Sequence, residues 1–116
     1  MISTDDIFKR ADTFARGVYG LSKSLPKSEA YGVTSQLKRA ALSVPLNVLE
    51  GYSRQSRKSE ANFLKIAYGS LKESLYLIEF AVGQGLFPEE SAVGLLRDGD
   101  ELAKIIWTKT ETLSGL

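Results

Sequence analysis

The sequence predicts an all-α fold, an antiparallel up-down four-helix bundle in which residues 1–116 form a single domain. Four segments, each roughly 20 residues long, repeat apolar residues at the three- and four-residue spacing of one helix face. Short connections containing serine, glycine or proline separate these segments, and short connections favour antiparallel neighbours. No segment of the sequence shows the alternating apolar and polar pattern of a β-strand.

The first predicted helix has signals at both ends. Ser3 and Asp6 form a capping pattern at its start. It stops before Pro26, because a proline disfavours helical geometry in the residue that precedes it. The second predicted helix starts at a Ser28 cap and ends at Gly51.

A proline lies inside the second predicted helix. Pro45 lacks the amide that would bond to the carbonyl of Ala41, and its ring crowds that turn. The apolar line of the helix nevertheless continues in phase from Val44 to Val48. We therefore expect a helix that kinks at the proline rather than one that ends there.

The third and fourth predicted helices each contain glycines in their middle. Ser56 or Ser59 caps the third, and Gly69 within it costs about 1 kcal/mol relative to alanine, which predicts the close approach of another backbone. The fourth begins with Pro88 at its first position, followed by two glutamates. Two further glycines weaken its middle, so the pattern also allows a break near Asp98–Asp100.

The sequence contains no cysteine and no histidine. Disulfides and thiol nucleophiles are therefore excluded, and the usual general base and the commonest metal ligand are missing. The sequence also lacks a glycine-rich phosphate loop and a serine nucleophile motif. We expect no catalytic residue, cofactor, metal site or small-molecule substrate, and hence no enzyme activity.

We expect neither a signal peptide nor a membrane span in this sequence. The first ten residues carry acids and lack the apolar run of a signal peptide. No stretch approaches the roughly 18 uncharged apolar residues of a membrane span. A cytoplasmic protein without membrane contact is the expectation.

A polar stripe runs beside the apolar line of the second predicted helix, at steps of three, four, four and three residues. Its members are Gln36, Arg39, Ser43, Asn47 and Glu50. In one interpretation the stripe is internal: its charges pair with charges on neighbouring helices, Glu73 being a candidate partner for Arg39, and its other members satisfy buried backbone. In the other interpretation the stripe is a subunit interface. The two interpretations are compatible.

The formal net charge of +1 hides an asymmetry between the two halves of the chain. Residues 1–58 carry a balance of +5, whereas residues 59–116 carry −4. The basic set of the first half consists of Lys38, Arg39, Arg54, Arg57 and Lys58. One interpretation is a solvated surface that complements an acidic one. The other is a phosphate-contacting patch, which symmetric assembly would repeat into a positive ring.

Two blocks of residues together form a family signature. The first block is Tyr31-Gly32, Gln36-Leu37, Arg39-Ala40-Ala41, Ser43, Pro45, Asn47 and Glu50-Gly51; the second is Phe63-Leu64, Ile66-Ala67, Gly69-Ser70-Leu71 and Glu73. With these blocks the chain resembles the bacterial four-helix-bundle proteins of the 23S rRNA intervening-sequence type, over nearly its whole length from about Phe8 to Leu113. Because Pro45 belongs to the pattern, the resemblance also favours a kinked helix over a broken one.

The resemblance implies a four-helix bundle that assembles as a ring-like pentamer. It also implies kinship with the accessory proteins of diversity-generating retroelements, which bind nucleic acid and a reverse transcriptase and carry a more basic surface than this chain. It carries over no catalytic residue. The positions of the signature and the polar stripe that we expect at an interface are Tyr31, Gln36, Arg39, Ser43, Asn47, Glu50, Gly69 and Glu73.

These observations lead to a functional hypothesis with one alternative. We expect a non-enzymatic homo-oligomer that serves as a nucleic-acid or ribonucleoprotein accessory. Arg54, Arg57 and Lys58, with Lys38 behind them, would contact the phosphates of RNA or DNA. The alternative is a protein–protein interaction scaffold that has no nucleic-acid role.

Overall fold

The computed structural model describes residues 2–115 and has four helices in that range. They are α1 (Thr4–Ser22), α2 (Val33–Ser53), α3 (Arg57–Gly83) and α4 (Glu89–Leu113), with a 3₁₀ turn at Lys27–Glu29 between the first two. Residues 2–115 contain no strand, so the all-α prediction is confirmed. The helices pack into a compact bundle with a Cα radius of gyration of 14.4 Å.

Each helix of the bundle packs against two others. The pairs are α1 with α2, α2 with α3, α3 with α4, and α4 with α1; the α2–α3 contact is the most extensive and the α1–α4 contact the least. The largest fully buried apolar side chains come from all four helices: Ile7, Leu37, Leu64, Leu71, Ile78, Leu102 and Ile106. The buried polar side chains of residues 2–115 are all hydroxyls. Buried hydroxyls need hydrogen bonds, and those of Ser74 and Thr110 donate to backbone carbonyl oxygens four residues earlier in their own helices.

Two of the predicted helix starts are confirmed by their hydrogen bonds. The Ser3 hydroxyl accepts from the backbone amide of Asp6 at 3.1 Å. Of the two serines proposed for α3, Ser56 is the cap, and its hydroxyl accepts from the amide of Ser59 at 3.3 Å. Each hydroxyl satisfies an amide that the first turn of a helix leaves without a backbone partner.

The predicted start of α2 at Ser28 is wrong. The residues around Ser28 form a 3₁₀ turn, in which Ala30 donates to the carbonyl of Lys27 at 3.1 Å, and the α-helix begins only at Val33. None of the residues in the turn is buried, and Tyr31 after it is fully exposed. A helix gains most of its stability from burying one face, and this segment has no face to bury.

α2 and α4 are both continuous helices, in spite of the proline inside α2 and the glycines inside α4. α2 passes through Pro45 without ending, as the in-phase apolar line predicted. α4 passes through Asp98–Asp100, so the break that the sequence allowed does not occur. Gly99 is buried there, and a Cβ at this position would lie 2.5 Å from Cδ2 of Leu75. The glycine makes room for a neighbouring helix, and this packing compensates for its low helix propensity.

The prediction of a close backbone approach at Gly69 is wrong. Gly69 is exposed, and no atom outside its own turn of helix lies within 4 Å of a Cβ built on it. The close approach of α2 and α3 occurs instead at Gly51, where a Cβ would lie 3.3 Å from both the Cα and the carbonyl oxygen of Glu60. Within residues 2–115, no helix is long and apolar enough to cross a membrane.

Candidate interaction surface

The centre of the polar stripe forms hydrogen bonds within the bundle. The Asn47 amide nitrogen donates to the carbonyl oxygen and to the hydroxyl of Ser43, both at 2.8 Å. The Ser43 hydroxyl in turn lies 2.9 Å from the hydroxyl of Ser70 on α3. The bond that joins α2 to α3 at this half-buried site is between two side chains, whereas the internal interpretation had these residues satisfy buried backbone.

The remaining stripe residues face solvent. Gln36, Arg39 and Glu50 are exposed, and the Glu50 carboxylate accepts from Arg54 one turn further along, at 3.0 Å. In the described part of the chain Arg39 forms no ion pair, so the predicted pairing with Glu73 is wrong. Both side chains point outward, where water screens the attraction that the prediction relied on.

The other signature positions assigned to an interface also lie at the surface. Tyr31 is fully exposed in the turn before α2, and Gly69 and Glu73 are exposed one turn apart on α3. None of the three contributes to the core. All three residues are therefore accessible to a partner.

A line of exposed leucines on α2 was missed by the sequence analysis. Leu42, Leu46 and Leu49, here called the leucine row, are 43%, 56% and 51% exposed. Their spacing of four and three residues puts them on one face of the helix, turned away from the buried line through Val44 and Val48. The signal was present in the sequence: a helix that is apolar on two sides buries both or uses one for a partner.

The basic residues at the α2–α3 connection already have intramolecular partners. The Arg54 guanidinium lies 5.1 Å from the ring centroid of Phe63, in addition to its bond with Glu50. Arg57 donates to the carbonyl oxygen of Thr112 at the end of α4, at 2.9 Å. Lys58 is exposed, and among residues 2–115 it has no polar partner. All three residues lie at the surface.

Lys38 does not join this basic group. It lies 16 residues before Arg54, a rise of about 24 Å along α2. Its ammonium nitrogen is 4.8 Å from the ring centroid of Tyr19 on α1. The structure therefore brings together Arg54, Arg57 and Lys58 at one end of the bundle and places Lys38 elsewhere.

The comparisons with known proteins agree with this fold. The sequence profile of the family described as 23S rRNA-intervening sequence protein matches residues 4–108. The chain is similar to a protein with unknown function from the S23 ribosomal protein family of Bacteroides thetaiotaomicron VPI-5482, with a TM-score of 0.84 and 23% identity over 90% of this chain and 98% of that one. A search of curated proteins finds no match. By the match to its profile, the chain belongs to the 23S rRNA-intervening sequence protein family.

Proposed function

We propose that this protein is a non-enzymatic bundle that self-associates in the cytoplasm and serves as an accessory in a nucleic-acid or ribonucleoprotein complex. The observation that carries self-association is the leucine row. Its three half-exposed side chains share one helix face, and exposed apolar patches of this kind mark interaction sites. The core of the monomer is filled without them.

The proposal includes the course of the helices. Ser43 pairs with Ser70 and Gly51 packs on Phe63, which supports an antiparallel course of α2 and α3 in an up-down bundle. That course puts Ile66, which is 51% exposed, level with the leucine row. We propose that both helices contribute apolar side chains to one interaction surface.

A kink at Pro45 belongs to the same proposal. A proline in a helix interior removes one backbone hydrogen bond and crowds the preceding turn, and sharp kinks are found at such positions. Pro45 lies between Leu42 and Leu46 along α2. A kink here would set the angle at which the leucine row meets a second subunit.

Unpaired charges border the apolar surface. Arg39 and Glu73 are exposed and carry opposite charge, and neither has an ion-pair partner in the described residues. Charges at the rim of an interface select the partner and its orientation more than they add affinity. Such pairing between subunits fits a closed ring, of which the pentamer implied by the resemblance is one form.

The nucleic-acid role is supported by charge and by the family's description. The first half of the chain has a balance of +5, and Arg54, Arg57 and Lys58 lie together at one end of the bundle. A ring would repeat this group around its axis and strengthen its attraction for phosphates. The scaffold without nucleic acid is the second candidate, because intramolecular contacts already occupy Arg54, Arg57 and Lys38.

Self-association is tested by Leu46→Asp. The wild-type protein should be a defined oligomer by light scattering. A carboxylate in the leucine row should reduce the mass to that of a smaller species, because an unpaired charge is costly to bury. Helix content by circular dichroism should not change, since Leu46 is outside the core.

The matched control is Val93→Asp on α4, where the replaced side chain is 49% exposed. This variant should keep the wild-type mass. A monomeric wild-type protein, or a Leu46→Asp variant of unchanged mass, would contradict the interface.

Nucleic-acid binding is tested by replacing Arg54, Arg57 and Lys58 with alanine. The wild-type protein should bind a short structured RNA with an affinity that falls steeply as salt rises. The triple variant should bind more weakly, with the logarithmic salt slope smaller by about 0.7–0.9 for each phosphate that it no longer neutralises. An unchanged salt slope in the triple variant would show that these residues do not contact the phosphates. A wild-type oligomer that does not bind RNA would favour the protein–protein interaction scaffold.

A further inference from the structure

An aromatic pair lies across the groove between α3 and α4. The ring centroids of Tyr68 and Trp107 are 5.3 Å apart, with a tilt of 55° between the planes. Tyr68 is half-buried, whereas Trp107 is 53% exposed. The Trp107 ring therefore packs against Tyr68 and leaves part of its apolar surface open to solvent.

The pair lines an open cleft of about 440 Å³, here called the α3–α4 cleft. Its polar lining consists of Lys72, Asp100, Lys104 and Thr108. The volume lies in the range of small-ligand sites.

The cleft concentrates positive charge in an otherwise acidic half of the chain. Lys72 and Lys104 line it from α3 and α4, and Lys65 lies on the same face of α3 as Tyr68 and Lys72, at the three- and seven-residue spacing of a helix. These are three of the five positive residues in 59–116, a segment whose balance is −4. Within residues 2–115 none of the three has an ion pair.

We propose that the α3–α4 cleft binds one base of a single-stranded nucleic acid. The base stacks on Trp107, and the ammonium groups of Lys72 and Lys104 contact the phosphates on either side of it. Stacking on aromatic side chains beside positive charge is how proteins hold single strands. The nucleic acid must be single-stranded, because the bases of a duplex are stacked on each other and present no free face.

The remaining charged residue of the cleft gives the site a base preference. Asp100 has no polar partner in the described chain, and a carboxylate accepts hydrogen bonds and donates none. Cytosine presents an amine to such an acceptor, whereas uracil presents a carbonyl oxygen at the same place. The cleft therefore prefers cytosine to uracil.

The cleft and the leucine row are separate surfaces. The leucine row is on α2, the cleft is between α3 and α4, and α2 does not contact α4 in the described part of the fold. The inference rests on the proposed nucleic-acid role but needs neither the basic group at the α2–α3 connection nor the oligomer.

The experiment uses the intrinsic fluorescence of Trp107, which is the one tryptophan of the sequence. The full-length protein is titrated with short oligomers of cytidine and of uridine, and the anisotropy of labelled oligomers is measured in parallel. The cytidine oligomer should quench the tryptophan and bind several-fold more tightly than the uridine oligomer. In Asp100→Asn that preference should shrink.

The charge requirement is tested by Lys72→Ala combined with Lys104→Ala. This double variant should bind the cytidine oligomer about tenfold more weakly or worse, with the salt slope smaller by about 1.4 for two phosphates. Lys23→Ala combined with Lys27→Ala is the matched control, because it removes the same charge from exposed positions between α1 and α2. The control should bind like the wild-type protein.

Four outcomes would overturn the inference. Anisotropy that rises without tryptophan quenching, with both double variants binding alike, would place the strand elsewhere and leave the proposed function standing. No binding of either oligomer, nor of the structured RNA, would remove the nucleic-acid role altogether. Quenching by free cytidine monophosphate as strong as by the oligomer would mark a nucleotide site instead of a strand site. A tryptophan signal that changes with protein concentration alone would place a second copy of the chain in the cleft.

Discussion

Gly51→Ala should lower the free energy of unfolding by about 1–3 kcal/mol. The added Cβ would lie 2.9 Å from the Cβ of Phe63 and 3.3 Å from two backbone atoms of Glu60. These atoms are fixed to the backbone of α3, so only a separation of the two helices relieves the overlap. That separation also disturbs the most extensive helix contact of the bundle.

The matched control is the same substitution at Gly69. Gly69 is in mid-helix with open space around it, so alanine should raise the free energy of unfolding by about 1 kcal/mol through helix propensity. Urea denaturation followed by circular dichroism measures both variants. A Gly51→Ala variant as stable as wild type would contradict the close approach of α2 and α3.

Leu75→Ala should lower the free energy of unfolding by about 2–5 kcal/mol. Adding Gly99→Ala to this variant should recover part of that loss. Leu75 is 4% exposed, so its truncation leaves a cavity. The Cβ of an alanine at position 99 would overlap Cδ2 of Leu75 at 2.5 Å, and it fits once that atom is removed. The combined cost should be smaller than the sum of the single costs by about 0.5–3 kcal/mol.

Gly94→Ala is the control for this cycle. A Cβ at Gly94 would have one neighbour, the end of the Arg97 side chain at 3.8 Å, so its effect should add to that of Leu75→Ala. The double variant with Gly99→Ala remains less stable than wild type, because Cε1 of Phe14 still lies 2.9 Å from the new Cβ. Additive effects of the Leu75 and Gly99 substitutions would mean that the two side chains do not share one space.

The fold was predictable because local signals and periodicity agree in most of the chain. The cap at Ser3 indicated the start of α1, and the structure confirms it. The in-phase apolar line across Pro45 indicated a continuous α2, which the structure also confirms. The start of α2 was missed because a serine followed by an acid also suits a turn. What decides between turn and helix is burial, and the residues around Ser28 bury nothing.

The interaction surfaces were less predictable, since they depend on what each residue finds across the bundle. A polar line such as Gln36 to Glu50 does not show which of its members have a partner on α3. Among residues 2–115 the Ser43 hydroxyl is the member that has one, and Asn47 bonds to Ser43 within α2. Likewise, Gly69 and Gly99 are both mid-helix glycines, yet only one has a neighbouring side chain in the space of its missing Cβ. The Tyr68–Trp107 pair joins residues 39 positions apart, a distance that periodicity along one helix cannot reveal.

The α1–α4 contact, the least extensive in the bundle, also has the greatest separation along the sequence. Every other helix contact joins consecutive helices, so the chain closes only short loops before its largest interfaces form. Short loops lose little chain entropy on closure, and bundles dominated by local contacts fold in roughly microseconds to milliseconds. The docking of α1 against α4 would then be the final step of folding and the first to reverse. Transient opening of the bundle would begin at the α1–α4 contact.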